Sequence, residues 1–352
     1  MPENALKAPS LCESFASSFL IGAAVPWTVL RDPDKGALLR RHFNSMTAEN
    51  AMKPERILDR TATLASGDPA VPVMNFAGTD AMLAYAQENG LRVRFHVLVW
   101  HNQTPRWFFR EGWSDAPDAP DAPAELLLQR QAAYIAGVMD HVNGRFPGLV
   151  YAWDVVNEAI EPDQGSPDGY RTKSEWHRLL GARFLPAAFR EARRHTLPGQ
   201  KLFYNDYSTF VPSKRDAIMR MLRGLCDEGI VDGMGMQGHY VLDHMDLGFC
   251  ERAARDYASL GLALHVTELD IHCPRGDEEG QAALARQYAD WFAMMLRLRG
   301  EGLPIESVTF WGLTDDDSWL TGFRREKSWP LLFGGDLRTK DAFDAVIRLM
   351  KP

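Results

Sequence analysis

Short apolar runs alternate with longer stretches of helical spacing along almost the whole chain. The runs cover residues 19–25, 43–50, 91–101, 153–159, 201–205, 233–237, 263–268 and 307–311. Between them lie helical patterns. One ends at 38–43; others cover 80–89, 125–141, 174–195, 214–227, 247–260 and 278–299, and a last one covers 340–350. In the 80–89 segment Met82, Leu83, Tyr85 and Ala86 recur at helical spacing, and Gly90 follows as a C-cap. Strands alternating with helices predict a parallel sheet with right-handed crossovers. Eight such units predict an α/β protein with a single (β/α)8 TIM barrel, one catalytic domain over 1–352. A doubly wound open sheet is the rival, but it gathers its ligand site at one switch point.

Polar residues instead stand at the C-terminal end of nearly every run. They are Glu49, Asn50 and Lys53; His96, Trp100 and His101; Asn157 and Glu158; Asn205; Gln237 and His239; Glu268 and Asp270; and Trp311, with Trp319 beyond it. Any one of them could be a helix cap, a salt-bridge partner or a core ring. Repetition at the same end of most strands favours a site built from many strands. Glu158 and Glu268 each end an apolar run. Facing each other across a cleft at about 5–5.5 Å, they would suit a retaining glycosidase.

Composition narrows the partners. A hydrophobic share of 45% over 352 residues supports a sizeable core. The net charge of −8, with no Lys/Arg-rich run, argues against nucleic acid or anionic lipid and for a neutral substrate. No apolar run approaches the ~18 residues of a membrane span. Residues 1–10 lack the basic-then-apolar pattern of a secretory leader, so a cytoplasmic setting is expected. Cys12, Cys226, Cys250 and Cys273 are scattered, without metal or redox spacing, and are expected to be reduced. The three Asp-Ala-Pro units at 115–123 exclude a helix and predict an exposed loop insertion.

The segments TAENAMK, FHVLVWHNQTPRW, WDVVNEA, YNDY, MQGHY, VTELDI and FWGLTDDDSW run in order from the second strand to the eighth. Together they resemble the motifs of glycoside hydrolase family 10, the retaining endo-β-1,4-xylanases. The resemblance implies Glu158 as general acid/base and Glu268 as nucleophile. It implies that His239 bonds Glu268 and is oriented by Asp270, and that Asn157 bonds a sugar 2-hydroxyl. Glu49, Asn50, Lys53, His96 and Trp100 would bind the glycone side, and Asn205 and Gln237 would line or support the site. Trp311 and Trp319 would wall it and crowd out a hexose CH₂OH group.

The implied substrate is xylan or, with no leader or sugar-binding module in view, short xylo-oligosaccharides; no metal or other cofactor is implied. Pro54 stands where many relatives carry an aromatic residue, which puts the inner glycone wall in doubt. The alternatives are a retaining β-1,4-glucanase or mixed xylanase/cellobiosidase on the same fold, a catalytically inactive sugar-binding barrel, and a metal-dependent barrel hydrolase. The last is disfavoured because His96 and His101, five apart on one strand, would point to opposite faces.

Overall fold

The structure, a computed structural model, describes residues 4–350. Met1 to Glu3, the start of the segment read for a leader, and Lys351 and Pro352 lie outside the described residues.

Eight parallel staves close into a barrel. In chain order the strands are β1 (Leu20–Val25), β2 (Ser45–Ala48), β3 (Arg92–Phe95), β4 (Val99–Trp100), β5 (Val150–Asn157), β6 (Lys201–Asp206), β7 (Gly233–Met236), β8 (His239–Val241), β9 (Ala263–His272) and β10 (Ile305–Phe310). The wall runs β1-β2-β3-β5-β6-β7-β9-β10, and β10 pairs back onto β1. The short β4 and β8 continue the β3 and β7 staves and pair with β5 and β9. Residues of β5 and β9 are buried along their whole length, as parallel strands covered on both faces must be.

Helices pack outside this wall. Leu127, Ile135, Val138 and Val142 form the buried stripe of the helix Ala124–Arg145. Asp277 caps the helix Glu278–Gly300 by accepting from the Gly280 N–H, and Asp246 caps Leu247–Ala258 through Phe249 N–H. Pro212 opens the helix Pro212–Asp227 at a position where its missing N–H costs nothing.

Two elements depart from the sequence expectation. The single strand expected over 91–101 stops after Phe95 at a cis peptide between His96 and Val97 and resumes as β4. The single helix expected over 174–195 is two, Glu175–Leu180 and Phe184–His195, parted by a 3-10 turn at Gly181–Arg183 in which Gly181 takes a φ of 59°. The Asp-Ala-Pro segment is largely exposed, but it is tethered: Ala122 N–H donates to Phe109 O at 2.9 Å, and Asp121 pairs with Arg110 and Arg178. All four cysteines are free thiols. No helix among the described residues is long and apolar enough to cross a membrane.

Candidate active site

A cleft of about 620 Å³ opens where the strands end. It brings together Glu49, Asn50, Lys53, His96, Trp100, Asn157, Glu158, Gln237, His239, Glu268, Trp311 and Trp319. Asn205 and Asp270 stand behind it, each bonded to a residue of the lining. The opposite mouth has its own cavity of about 520 Å³, but its acids Glu306 and Asp232 are tied to Lys201 and Arg193.

Glu158 follows the last residue of β5 in a left-handed conformation, φ 55°. A non-glycine residue there costs about 1–3 kcal/mol, so its surroundings must hold it. Its N–H donates to Asn205 O at 2.9 Å and its carbonyl accepts from Arg171 Nε at 2.9 Å. The side chain accepts from Trp100 Nε1 on Oε2 and from Gln237 Nε2 on Oε1, both at 2.9 Å. His101 Nδ1 is 3.9 Å from Oε2; burial outweighs the attraction of Glu158 and pushes the imidazole down to about 4.

Glu268, within β9, is buried. Its Oε2 lies 3.1 Å from His239 Nε2, and its Oε1 accepts from Asn205 Nδ2 at 2.8 Å. Burial alone would raise this carboxyl's pKa. The His239 hydrogen bond, the fields of His96 and His239 and the Asn205 amide outweigh it and hold Glu268 below its ordinary value. Burial likewise opposes charge on His239, but Asp270 and then Glu268 overcome it and carry the imidazole to about 10. Asp270 accepts from both sides: His239 Nδ1 is 2.9 Å from Oδ1, and Trp319 Nε1 is 2.9 Å from Oδ2.

Amides join the two acids. Asn157 Oδ1 accepts from Asn205 Nδ2 at 3.0 Å and from Gln237 Nε2 at 3.3 Å, and those same groups bond Glu268 and Glu158. Turning the Asn157 amide over would bring Trp100 Nε1 within 3.3 Å of its oxygen and let its NH₂ donate to Asn205 O at 3.0 Å, but it would set that NH₂ against those two NH₂ groups. Each orientation satisfies two donors; in the first, Trp100 keeps its bond to Glu158.

Beyond β2, Lys53 Nζ donates to Asn50 Oδ1 at 3.2 Å and lies 4.9 Å from the Trp100 ring centroid. Burial lowers the Lys53 pKa against the pull of Glu268, Glu49 and Glu158, and burial raises that of Glu49. The Trp311 ring stands edge-on to His96 at 5.4 Å and to His239 at 6.4 Å. Under the cleft, His96 Nδ1 meets Asp154 Oδ2 at 3.0 Å, and Asp154 is held in turn by Arg94.

His96 and His101 line the same cleft, against the expectation of opposite faces. The alternation of a continuous strand does not carry across the break between β3 and β4. Among the described residues no group of three or more His, Cys, Asp or Glu is disposed to hold a metal ion.

Several lining residues were not singled out from the sequence: Gln103, Arg171, Tyr207, Phe323 and Arg324. Gln103 and Tyr207 fall inside the segments FHVLVWHNQTPRW and YNDY, so a signal was present for them. Arg171 lies in the polar loop after β5, where nothing local marks it.

A closed (β/α)8 barrel with two glutamates set among amides, imidazoles and indoles at its strand ends is built on the plan of a glycoside hydrolase. The chain belongs to glycosyl hydrolase family 10, whose model matches residues 10–349. Endo-1,4-beta-xylanase B of Butyrivibrio fibrisolvens is 42% identical over 345 residues, covering 96% of this chain and 53% of that protein. Endo-1,4-beta-xylanase B of Paenibacillus barcinonensis is 38% identical over 352 residues, covering 96% of this chain and 98% of that one. A solved structure of a mutant in complex with xylotriose is 36% identical, with a TM-score of 0.83 over 97% of this chain and 99% of that one. The chain thus spans about half the length of its Butyrivibrio relative.

Proposed function

We infer that this chain is a retaining endo-β-1,4-xylanase in which Glu268 is the nucleophile and Glu158 the general acid/base. The observation that carries the reading is the unequal treatment of two glutamates in one cleft. Glu268 is held ionised by His239 and Asn205, whereas Glu158 takes bonds from the neutral donors Trp100 and Gln237. In the first step a Glu268 oxygen bonds the anomeric carbon while the bond to the leaving sugar oxygen breaks, and that oxygen takes the Glu158 proton. In the second step Glu158 takes a proton from water, the water oxygen bonds the anomeric carbon, and the bond to Glu268 breaks.

Asn157 bonds the 2-hydroxyl at the cleavage point. Asn205 and Gln237 fix the two acids, while His239 and Asp270 keep Glu268 ionised. Glu49, Asn50, Lys53 and His96 take the remaining hydroxyls, with Trp100, Trp311 and Trp319 as walls. Short xylo-oligosaccharides are the working substrate in this reading. The relative solved with xylotriose and a cleft within the roughly 300–1,000 Å³ range of small-molecule sites support it.

The test is the configuration of the first product from a xylo-oligosaccharide, followed by NMR. A β-anomer is expected, and an α-anomer would mean direct attack by water. Glu268→Ala should abolish turnover; normal hydrolysis by that variant would refute the assignment. A higher rate on polymeric xylan than on xylotriose or xylotetraose would overturn the preference for short chains.

A further inference from the structure

Behind Glu158 lies a compact group of charges that the proposed chemistry does not use. Arg171 Nε donates to the Glu158 carbonyl at 2.9 Å, and its Nη2 donates to Tyr207 Oη at 2.8 Å and to Glu161 Oε2 at 3.1 Å. The Tyr207 hydroxyl donates to the same Glu161 oxygen. One layer deeper, buried Lys214 places Nζ 2.8 Å from Asp206 Oδ1, 3.9 Å from Glu161 Oε2 and 3.3 Å from the Tyr207 ring centroid. Lys214 Nζ has no conventionally aligned hydrogen bond, so it acts as a charge held against a ring face and two acids.

Asp206 ties this group back to the strand ends. It accepts from Tyr207 N–H at 2.8 Å and from the Tyr204 hydroxyl, which itself accepts from Ile160 N–H at 3.1 Å. The peptide segment that carries Glu158 is therefore pinned at three points. Asn205 O takes its N–H, Arg171 takes its carbonyl, and Tyr204 takes the N–H two residues on.

Without the Arg171 bond the Glu158 carbonyl is released, and one of the three pins that oppose relaxation of its left-handed φ toward extended backbone is gone. That rotation would swing the carboxyl away from Trp100 and Gln237. The two cations and two acids balance in charge, so the group exerts its influence through geometry.

We propose that Arg171 is a positioning residue for the proton donor. It holds the Glu158 carbonyl and so the direction of the Glu158 carboxyl, while Lys214, through Tyr207 and Asp206, holds the wall against which Arg171 is braced. The proposal rests on Glu158 being the general acid of the reading above. It differs from a general structural role in one respect: only substrates whose leaving group needs a proton should feel the loss.

The experiment compares kcat/KM, which reports the first step, on xylotetraose and on a 2,4-dinitrophenyl xylobioside. The dinitrophenolate leaves without protonation; a sugar alkoxide does not. Arg171→Gln should lose on the order of a hundredfold on xylotetraose, as for an ångström-scale misplacement, and only about threefold or less on the aryl substrate. Arg171→Lys, which keeps the buried charge, should show the same selectivity with a smaller loss. Glu158→Gln serves as the reference and should show the same selectivity more strongly. In that background Arg171→Gln should add nothing further on xylotetraose.

Equal losses on both substrates, no loss on either, or an additive effect on top of Glu158→Gln would overturn the proposal. If Glu158→Gln itself shows no leaving-group selectivity, the assignment of the acid falls instead. If Arg171→Gln does not fold, the losses of Arg171→Lys on the two substrates decide in its place: a larger loss on xylotetraose supports the proposal and equal losses overturn it.

Discussion

His239 Nε2 lies 3.1 Å from Glu268 Oε2, and each of the two groups holds the other in its charged form. Desolvation opposes both charges. It is outweighed because Asp270 braces the far side of the imidazole at 2.9 Å. The ionisation of Glu268 is thus a property of three residues on two adjacent staves.

Replacing His239 by Gln should shift the acidic limb of the kcat/KM profile to higher pH. Burial then acts on Glu268 with less opposition, and its pKa rises. Loss of a hydrogen bond to a charged group is worth about 1.5–3 kcal/mol, so kcat/KM near neutrality should fall about ten- to a hundredfold. A pH profile with an unmoved acidic limb would contradict this.

The same pair predicts the pH dependence of stability. The His239 pKa is raised from 6.5 to about 10 in the folded state, so its contribution is fully present below 6.5 and is lost as pH rises toward 10. The Tm difference between the wild type and His239→Gln should shrink across that window. A difference that widened with pH would have the wrong sign. Glu268 acts in the opposite sense: its pKa is lowered from 4.5, so its contribution is lost as pH falls below that value.

Asp154→Asn should cost about 3–5 kcal/mol in urea denaturation, because it leaves Arg94 as a buried, uncompensated charge. Arg94 and Asp154 are each 1% exposed, with Arg94 Nε 3.1 Å from Asp154 Oδ2. Arg94→Met combined with Asp154→Leu should cost less than the single change, since no orphaned charge remains. A larger loss in the double variant would show that the pair contributes net stability.

Gly235→Ala should disarm the site from the barrel interior. A Cβ there would stand 2.4 Å from Asn205 Oδ1 and 2.9 Å from Arg94 Nη2, and both side chains are buried. Asn205 must move, and with it the Nδ2 contact to Glu268. We expect a stability loss of about 1–3 kcal/mol from overpacking and a fall in kcat/KM of at least about tenfold. Wild-type kinetics in the variant would mean that Asn205 has room the structure does not show.

Much of the barrel was legible along the chain because a stave buried on both faces needs a short apolar run. Residues 150–156 form such a run, and the Asn157 and Glu158 that follow it stand out against it. Local periodicity carries no information about what lies across the barrel. Arg94 reads as an ordinary charge in a strand, yet it meets Asp154, 60 residues on, and His265, 171 residues on. His96 and His101 share a cleft because the strand between them breaks. Arg171 reaches the carbonyl of Glu158 because its loop folds back over the end of β5. The chain by itself determined the staves and the polar residues toward their exits, since burial on both faces and polar exits are local demands, although Glu268 lies within β9 rather than at its end. Only ring closure decided which charges meet inside it and which side chains hold the two glutamates in place, since these contacts join segments far apart in sequence.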